Sequence, residues 1–551
     1  MLKPMRSKII GAAAAALLAV AAIVVVLHGT FASNRASGPL PTPTGVAPSM
    51  QVCGSSSLRG PARPPSGAVT VAAGDDSGDT LSTPDTTYYF ATGIHTLGRG
   101  AYDQIIPGDK DTYIGAPGAV LSGQNLNEFA FDQAATLVTI EYLTIEDFTP
   151  PINEGAVNAS VAPDWTIEHD TIEDNVPGTG AYMGTNNVLE HDCITENGQE
   201  GIGTFTSIDT NRVTGGGSNY TVVGNEISFN DTCNVEDDSP DPVPAADQPH
   251  SCGEIEPGGC GCTGGFKMYT VDGSVFEDNF VHDNYSVGLW YDGNCTSSLV
   301  EGNVIDGNWG EGLQYEISYN ALIEDNTFAD NAWGGGPTLG RFPDPAVYVS
   351  DSGGDAALPG AYSGEILIRG NTFTNNWSGV VLWNDGGRFC GNVNSPSSAS
   401  LCAITGNDPS LYHFNGGDTP GGCGRADLQG ASAGVDSGTP PADYFDNCHW
   451  TTQHVTVTDN TFAIDPTAIP DCNGQTNFCG TQGLFSNDST SPTWTPYGTY
   501  YEAFIISPAS HNVFSDNTYS GPWTFMYHDQ SLILSQSQWR DDGQDTGSKW
   551  S

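Results

Sequence analysis

Leu299-Val300-Glu301-Gly302-Asn303-Val304-Ile305-Asp306-Gly307-Asn308 carries the pattern that decides the fold. It returns as Ile323-Glu324-Asp325-Asn326-Thr327-Phe328-Ala329-Asp330-Asn331 and as Ile368-Arg369-Gly370-Asn371-Thr372-Phe373-Thr374-Asn375-Asn376. The shared template is apolar-x-x-Asn-x-apolar-x-x-Asn. Its first Asn position falls at Leu143, Asp170, Asp192, Asn225, Asn279, Asn303, Asn326, Asn371, Asn460 and Asn517. The best-kept spacings are 22, 24 and 23 residues, and the 45 between Asn326 and Asn371 reads as two periods. A fixed period of this size, built from short β runs, means stacked coils rather than a globular core. Coils about 4.8 Å apart pair each backbone group above and below, and the inward Ile, Val and Phe form a continuous core. Asn suits the turn, because it tolerates left-handed dihedrals and its amide can bond local backbone or the Asn stacked on it.

These repeats resemble the right-handed parallel β-helix repeat proteins of the pectate-lyase-like superfamily, over residues 67–548. The resemblance implies an all-β fold, a single right-handed parallel β-helix solenoid. Residues 68–125 read as its opening coils, with regular coils from Val138 to about Asp385. Three inserts interrupt them, at 231–264, 337–363 and 386–452, and are expected to be loops off one side. The tail, 523–539, is expected to cap the open end, since a bare end exposes strand edges and core.

The amino-terminal segment is different. Lys3, Arg6 and Lys8 precede Ile9–Leu27, nineteen residues without a charge. Residues 1–32 therefore read as a signal peptide or an uncleaved signal anchor, a membrane-directing helix in either case. Residues 33–66, rich in Pro, Ser, Gly and Ala, read as a flexible tether. Both readings place the remainder in the extracellular space, secreted or held at the cell surface, with membrane contact only through residues 9–27. Thirteen cysteines agree with an oxidising compartment. Expected local pairs are Cys390 with Cys402, Cys472 with Cys479, Cys233 with Cys252, and Cys423 with Cys448; Cys53, in the tether, is the candidate for the odd one of the thirteen. Cys260 and Cys262 sit too close for a comfortable bridge between themselves.

The charge excludes one class of partner. Asp plus Glu number 65 and Lys plus Arg 16, a formal −49, which rules out nucleic acid. A polyanionic substrate is disfavoured unless a metal ion bridges it. No cofactor is required by any motif. Calcium on stacked Asp and Asn is conceivable, although no EF-hand or nonapeptide calcium repeat is present. A monomer is expected.

Stacking the coils brings chemistry together. The strands after the second Asn read Gly265-Phe266-Lys267-Met268-Tyr269, Gly288-Leu289-Trp290-Tyr291-Asp292, Gly312-Leu313-Gln314-Tyr315-Glu316 and Gly379-Val380-Val381-Leu382-Trp383. Alternation turns Phe266, Leu289, Leu313 and Val380 inward with Met268, Tyr291, Tyr315 and Leu382. The outer face then shows Lys267, Trp290 and Gln314 in one column and Tyr269, Asp292 and Glu316 in a second. Asp292 and Glu316 fall in neighbouring coils, about 5 Å apart, as a retaining glycosidase requires of its acid and nucleophile. Lys267 is a candidate base or anion anchor, and His282 an acid or base on the groove wall. Trp290, Gln314 and Tyr269 are candidate sugar contacts. The competing structural reading is a solvated sheet with a cross-strand Lys–carboxylate pair.

β-Helix enzymes of the resembled superfamily bind long glycans along the coil axis. The expected partner is therefore a polysaccharide. Family lyases use Lys or Arg as base, and only Lys267 stands near the proposed site, with Arg212 and Arg341 at unfixed distance. Hydrolysis of a neutral glycan is thus slightly favoured over elimination. The alternative is a non-catalytic surface protein, an adhesin or glycan-binding module.

Overall fold

The computed structural model describes residues 50–132, 134–204, 217–235, 242–244, 248, 249, 252, 263–293, 295–339, 342–356, 360–384, 452–485 and 510–551. The segment 9–27, the tether up to residue 49, Arg212, Arg341 and Cys260, Cys262, Cys390, Cys402, Cys423 and Cys448 lie outside them. So does most of the inserts at 231–264 and 386–452. Among the described residues no helix is long and apolar enough to cross a membrane.

A complete coil contributes one short strand to each of three parallel sheets, and the opening coils enter only the first and third. The first sheet has 13 strands, from Val69–Val71 to Val513–Ser515, and the third has 14, from Gly74–Asp75 to Lys549–Trp550. The second has 11, from Phe131–Asp132 to Thr524–Leu534. Neighbouring strands in a sheet are successive coils, so a residue's partner is its counterpart one turn away. In the first sheet Val300 pairs with Phe276 and Ile323, all three fully buried. In the third, Phe328, Phe373, Phe462 and Tyr519 stack ring on ring at 4.5–5.0 Å. Such like-on-like stacking fills a core that each thin coil could not close alone.

The expected ladder runs through all ten positions, seven of them Asn, with Asp170 and Asp192 as two rungs and Leu143 entering only through its backbone N–H. Asn303 N–H donates to Asn326 Oδ1 at 2.9 Å, and Asn303 Nδ2 donates to the same oxygen and to Phe276 O. The chain of contacts starts at Leu143 N, which donates to Asp170 Oδ1, and runs to Asn517. A second ladder follows the second Asn, from Asn175 through Asn197, Asn230, Asn284, Asn308 and Asn331 to Asn376. The left-handed residue is the one before each first-ladder position: Asp278, Gly302, Asp325 and Gly370 have φ between 53° and 68°. Asn is therefore the rung, and its predecessor makes the turn.

Three expectations need correction. The 45 residues from Asn326 to Asn371 are one coil, not two, since the two side chains bond directly. The insert at 337–363 is correspondingly no mere loop. It contains the strand Pro345–Ser350, which pairs with Leu313–Glu316 on one side and Ser378–Trp383 on the other. Cys53 is not the odd cysteine: it is bonded to Cys193, 140 residues away. The described part of the supposed tether is accordingly anchored, with Val52 N–H and Cys53 N–H on Glu226 Oε2 and the Tyr89 hydroxyl on Pro61 O. The pairs Cys233–Cys252 and Cys472–Cys479 are as expected. Among the described residues Cys295 is the free cysteine, buried in the core. At the carboxyl end the helix Gln536–Asp541 turns Trp539 inward against Phe514, Phe525 and Tyr527, closing the core.

Candidate active site

Register assembles the site on the outer face of the second sheet. Lys267 pairs with Trp290, and Trp290 with Gln314; Tyr269 pairs with Asp292. Asp292 and Glu316 each follow the paired Tyr291 and Tyr315 by one residue. The inward set is as read from alternation: Phe266, Met268, Leu289, Tyr291, Leu313 and Tyr315 are all fully buried. The skipped coil adds Tyr348 beyond Gln314 and Ser350 beyond Glu316.

The outward side chains hold one another diagonally. Lys267 Nζ lies 3.1 Å from Asp292 Oδ2 and 3.3 Å from the centre of the Trp290 ring. The Trp290 indole N–H donates to Glu316 Oε2 at 3.1 Å. The ammonium thus sits between a carboxylate and an aromatic face, an arrangement in which both attractions strengthen as water is excluded. Lys267 is 4% exposed and the Asp292 side chain 20%, so Asp292 is the group of this pair that solvent reaches. Tyr269 is half-buried beside Asp292; burial and then that carboxylate push its hydroxyl up to about 12.

Two carboxyls missed by sequence reasoning belong to the cluster. Glu200 opens the strand Glu200–Thr204, whose Gly203 pairs with Lys267. A Cβ on Gly203 would stand 2.3 Å from both Glu200 Oε2 and a carbon of the Tyr182 ring, so the bare glycine makes room for the carboxyl on this face. Burial raises the Glu200 pKa to about 8, against the opposing pull of Lys267 and the Thr179 hydroxyl. Burial thus favours the protonated form of Glu200 near neutral pH. Glu311 is the second: burial raises it as well, and Asp344 and Gln314 hydrogen-bond to it with Glu316 nearby. The signal for Glu200 was present in Gly201-Ile202-Gly203-Thr204, the same strand template one coil earlier.

His282 is not brought to this cluster. It lies in the third sheet, in the strand Phe280–His282. Nδ1 is 3.0 Å from Asp283 and Nε2 3.2 Å from Glu226, with Phe280 stacked on the ring. Burial lowers its pKa, but the two carboxylates outweigh that and raise it. Glu226 is the same group that receives Val52 and Cys53, so His282 braces the anchored amino-terminal strap. Among the described residues no cluster of three or more His, Cys, Asp or Glu is arranged to hold a metal ion.

A family model described as right handed beta helix region matches residues 255–394. No curated protein sequence matches the chain. Among solved structures, the catalytic unit of a thermostable GH87 alpha-1,3-glucanase from Streptomyces thermodiastaticus strain HF3-3 is similar at 14% identity and a TM-score of 0.46, over 89% of this chain and 70% of that one. The A-module of the Azotobacter vinelandii mannuronan C-5 epimerase AlgE6 is similar at 17% identity and a TM-score of 0.35, over 57% and 79%. PfbA, a surface adhesin of Streptococcus pneumoniae, is similar at 11% identity and a TM-score of 0.31, over 55% and 79%. Likenesses of this size say nothing about what this chain acts on. The matched region and the three long parallel sheets together make the chain a right-handed parallel β-helix.

Proposed function

We propose that this β-helix cleaves an extracellular polysaccharide on the outer face of its second sheet, by hydrolysis. The observation that carries the reading is the set Glu200, Lys267, Asp292, Trp290 and Glu316: a carboxyl whose protonated form burial favours and two further carboxyl groups around one buried ammonium and one indole. Hydrolysis needs one protonated and one ionised carboxyl flanking the glycosidic bond. Glu200, only 1% exposed, donates its proton through one bridging water to the leaving glycosidic oxygen as the bond to the anomeric carbon breaks. Water adds its oxygen to that carbon and gives up a proton to Asp292, the more accessible carboxylate. Lys267 and Glu316 are positioning residues here, the first holding Asp292 and the second holding the Trp290 indole. This assignment modifies the expectation that Asp292 and Glu316 are acid and nucleophile: the acid becomes Glu200, which burial raises to about 8, and Asp292 the base.

Elimination from a uronate is less favoured, since the ammonium such chemistry would use as base is already engaged by Asp292 and Trp290. The same engagement favours a second reading, glycan binding without cleavage. We also propose that a single solenoid spans 67–548, that residues 1–32 direct export, that the protein acts as a monomer, and that any calcium is accessory. A panel of neutral and uronate glycans, assayed for new reducing ends with and without chelator, tests the function. Reducing ends from a neutral glycan that disappear in Asp292→Asn support hydrolysis; unsaturated products support elimination; retention of a glycan without release supports binding alone.

A further inference from the structure

Seven of the ten first-ladder positions are Asn; Leu143 ends the ladder through its N–H, and two further positions are aspartates. Eight of the ten positions need no titratable group, but Asp170 and Asp192 are adjacent rungs and fully buried. Each places Oδ1 as an asparagine would: Leu143 N–H donates to Asp170 Oδ1 at 2.6 Å, and Asp170 N–H to Asp192 Oδ1 at 2.7 Å. Each Oδ2 then occupies the place of an amide nitrogen. In the asparagine rungs that nitrogen donates twice, to the next rung's oxygen and to the carbonyl three residues before the preceding rung. Asn225 Nδ2 donates to Leu189 O and Asn279 Oδ1; Asn279 Nδ2 donates to Val222 O and Asn303 Oδ1. The same offset puts Ile140 O before Asp170 and Ile167 O before Asp192. Both Oδ2 atoms are buried without a hydrogen-bond partner when taken as acceptors. An oxygen surrounded by acceptors is satisfied only if it carries a hydrogen.

We propose that Asp170 and Asp192 stand in the ladder as neutral carboxylic acids, each donating through Oδ2–H in place of an amide, so that the coils from Leu143 to Asn225 are held by a proton-dependent ladder that loosens as pH rises. The surroundings favour the neutral form. The groups facing the pair are Glu141, Glu168 and Glu190 of the first sheet, all acidic. Tyr142, His169 and His191 stack on one another outside, and burial lowers the pKa of His169. Burial raises both Asp170 and Asp192, and Asp170 further raises Asp192. The sign follows from linkage: an acid whose folded pKa lies above its unfolded value of about 3.9 contributes fully below that value, and the contribution is lost as pH rises towards the folded pKa. Across that window each site shifts the local opening equilibrium by up to about tenfold per pH unit.

Amide hydrogen exchange on the whole chain, between pH 5 and pH 8 and corrected for the intrinsic chemical rate, tests this. Peptides covering 139–195 are expected to open progressively with pH, whereas peptides covering 299–331, whose rungs are all Asn, are expected to change much less. Asp170→Asn with Asp192→Asn should flatten the first profile and raise the unfolding temperature at pH 8 but not at pH 4. Should that variant fail to fold, the comparison of the two peptide sets in the unaltered chain decides. Parallel profiles for the two sets, or an unchanged profile in the double variant, would overturn the proposal.

Discussion

Replacing Asn303 by Ala tests the ladder where its contacts are most complete. Asn303 Oδ1 accepts from Asn279 N and Nδ2 at 2.9 and 3.1 Å, and Asn303 Nδ2 donates to Phe276 O at 2.8 Å and Asn326 Oδ1 at 2.9 Å. Asn303 is 1% exposed, so water does not take over these four contacts. Asn326 Oδ1 keeps the backbone N–H of residue 303 and Asn279 Nδ2 keeps Val222 O, so Asn279 N–H is the group left unpartnered; at about 1–3 kcal/mol for that group, with the other lost contacts adding to it, the loss is about 2 kcal/mol or more. The variant should lower the denaturant midpoint. Because each coil touches only its neighbours, the effect should be local, with amide protection falling in 276–331 before it falls near Phe462. A loss below about 1 kcal/mol would refute the reasoning, because it would mean that the rung amides are satisfied by water.

Other outcomes follow from single contacts. Leu313→Asp should unfold its coils, since an unpaired charge in the fully buried core costs several kcal/mol, while Gln314→Ala on the opposite face should stay within about 1 kcal/mol by thermal melting; equal losses would mean inverted strand faces. Gly203→Ala should displace Glu200 and lower glycan release, with a fall in melting temperature as well, because its Cβ meets both the carboxyl and the buried Tyr182 ring at 2.3 Å; undiminished release would remove Glu200 from the site. Cys53→Ser should cost about 2–5 kcal/mol by denaturant titration, as expected for a bridge that closes a long loop; an unchanged midpoint would mean that the strap adds nothing to the coils.

The ladder and the strand faces were legible because a coil repeats its environment. Once Asn303 and Asn326 are aligned, Phe266, Leu289 and Leu313 fall inward and Lys267, Trp290 and Gln314 fall in line. Coil length was not legible where a long turn intervenes, so the strand holding Tyr348 was passed over as an insert. Alternation also fails at strand ends. Glu200 sits at the first position of its strand and reaches the outer face because Gly203 leaves space, a matter of side-chain direction that a two-residue period does not encode. His282 points outward as alternation says, but from another sheet, where Glu226 and Asp283 hold it. The bridge from Cys53 to Cys193 joins segments 140 residues apart and leaves no local spacing to read.

The most direct test of glycan hydrolysis on this face is the pH profile of reducing-end release in the unaltered chain and in Glu200→Gln. A general acid must be protonated in the free enzyme, and burial sets the Glu200 pKa at about 8. Release by the unaltered chain should hold through neutral pH and fall as pH rises through about 8. In Glu200→Gln, which keeps the shape but cannot give up a proton to the leaving oxygen, release should be lost at every pH while glycan binding and melting temperature persist. Release in Glu200→Gln equal to that of the unaltered chain, with the same alkaline fall, would contradict the account.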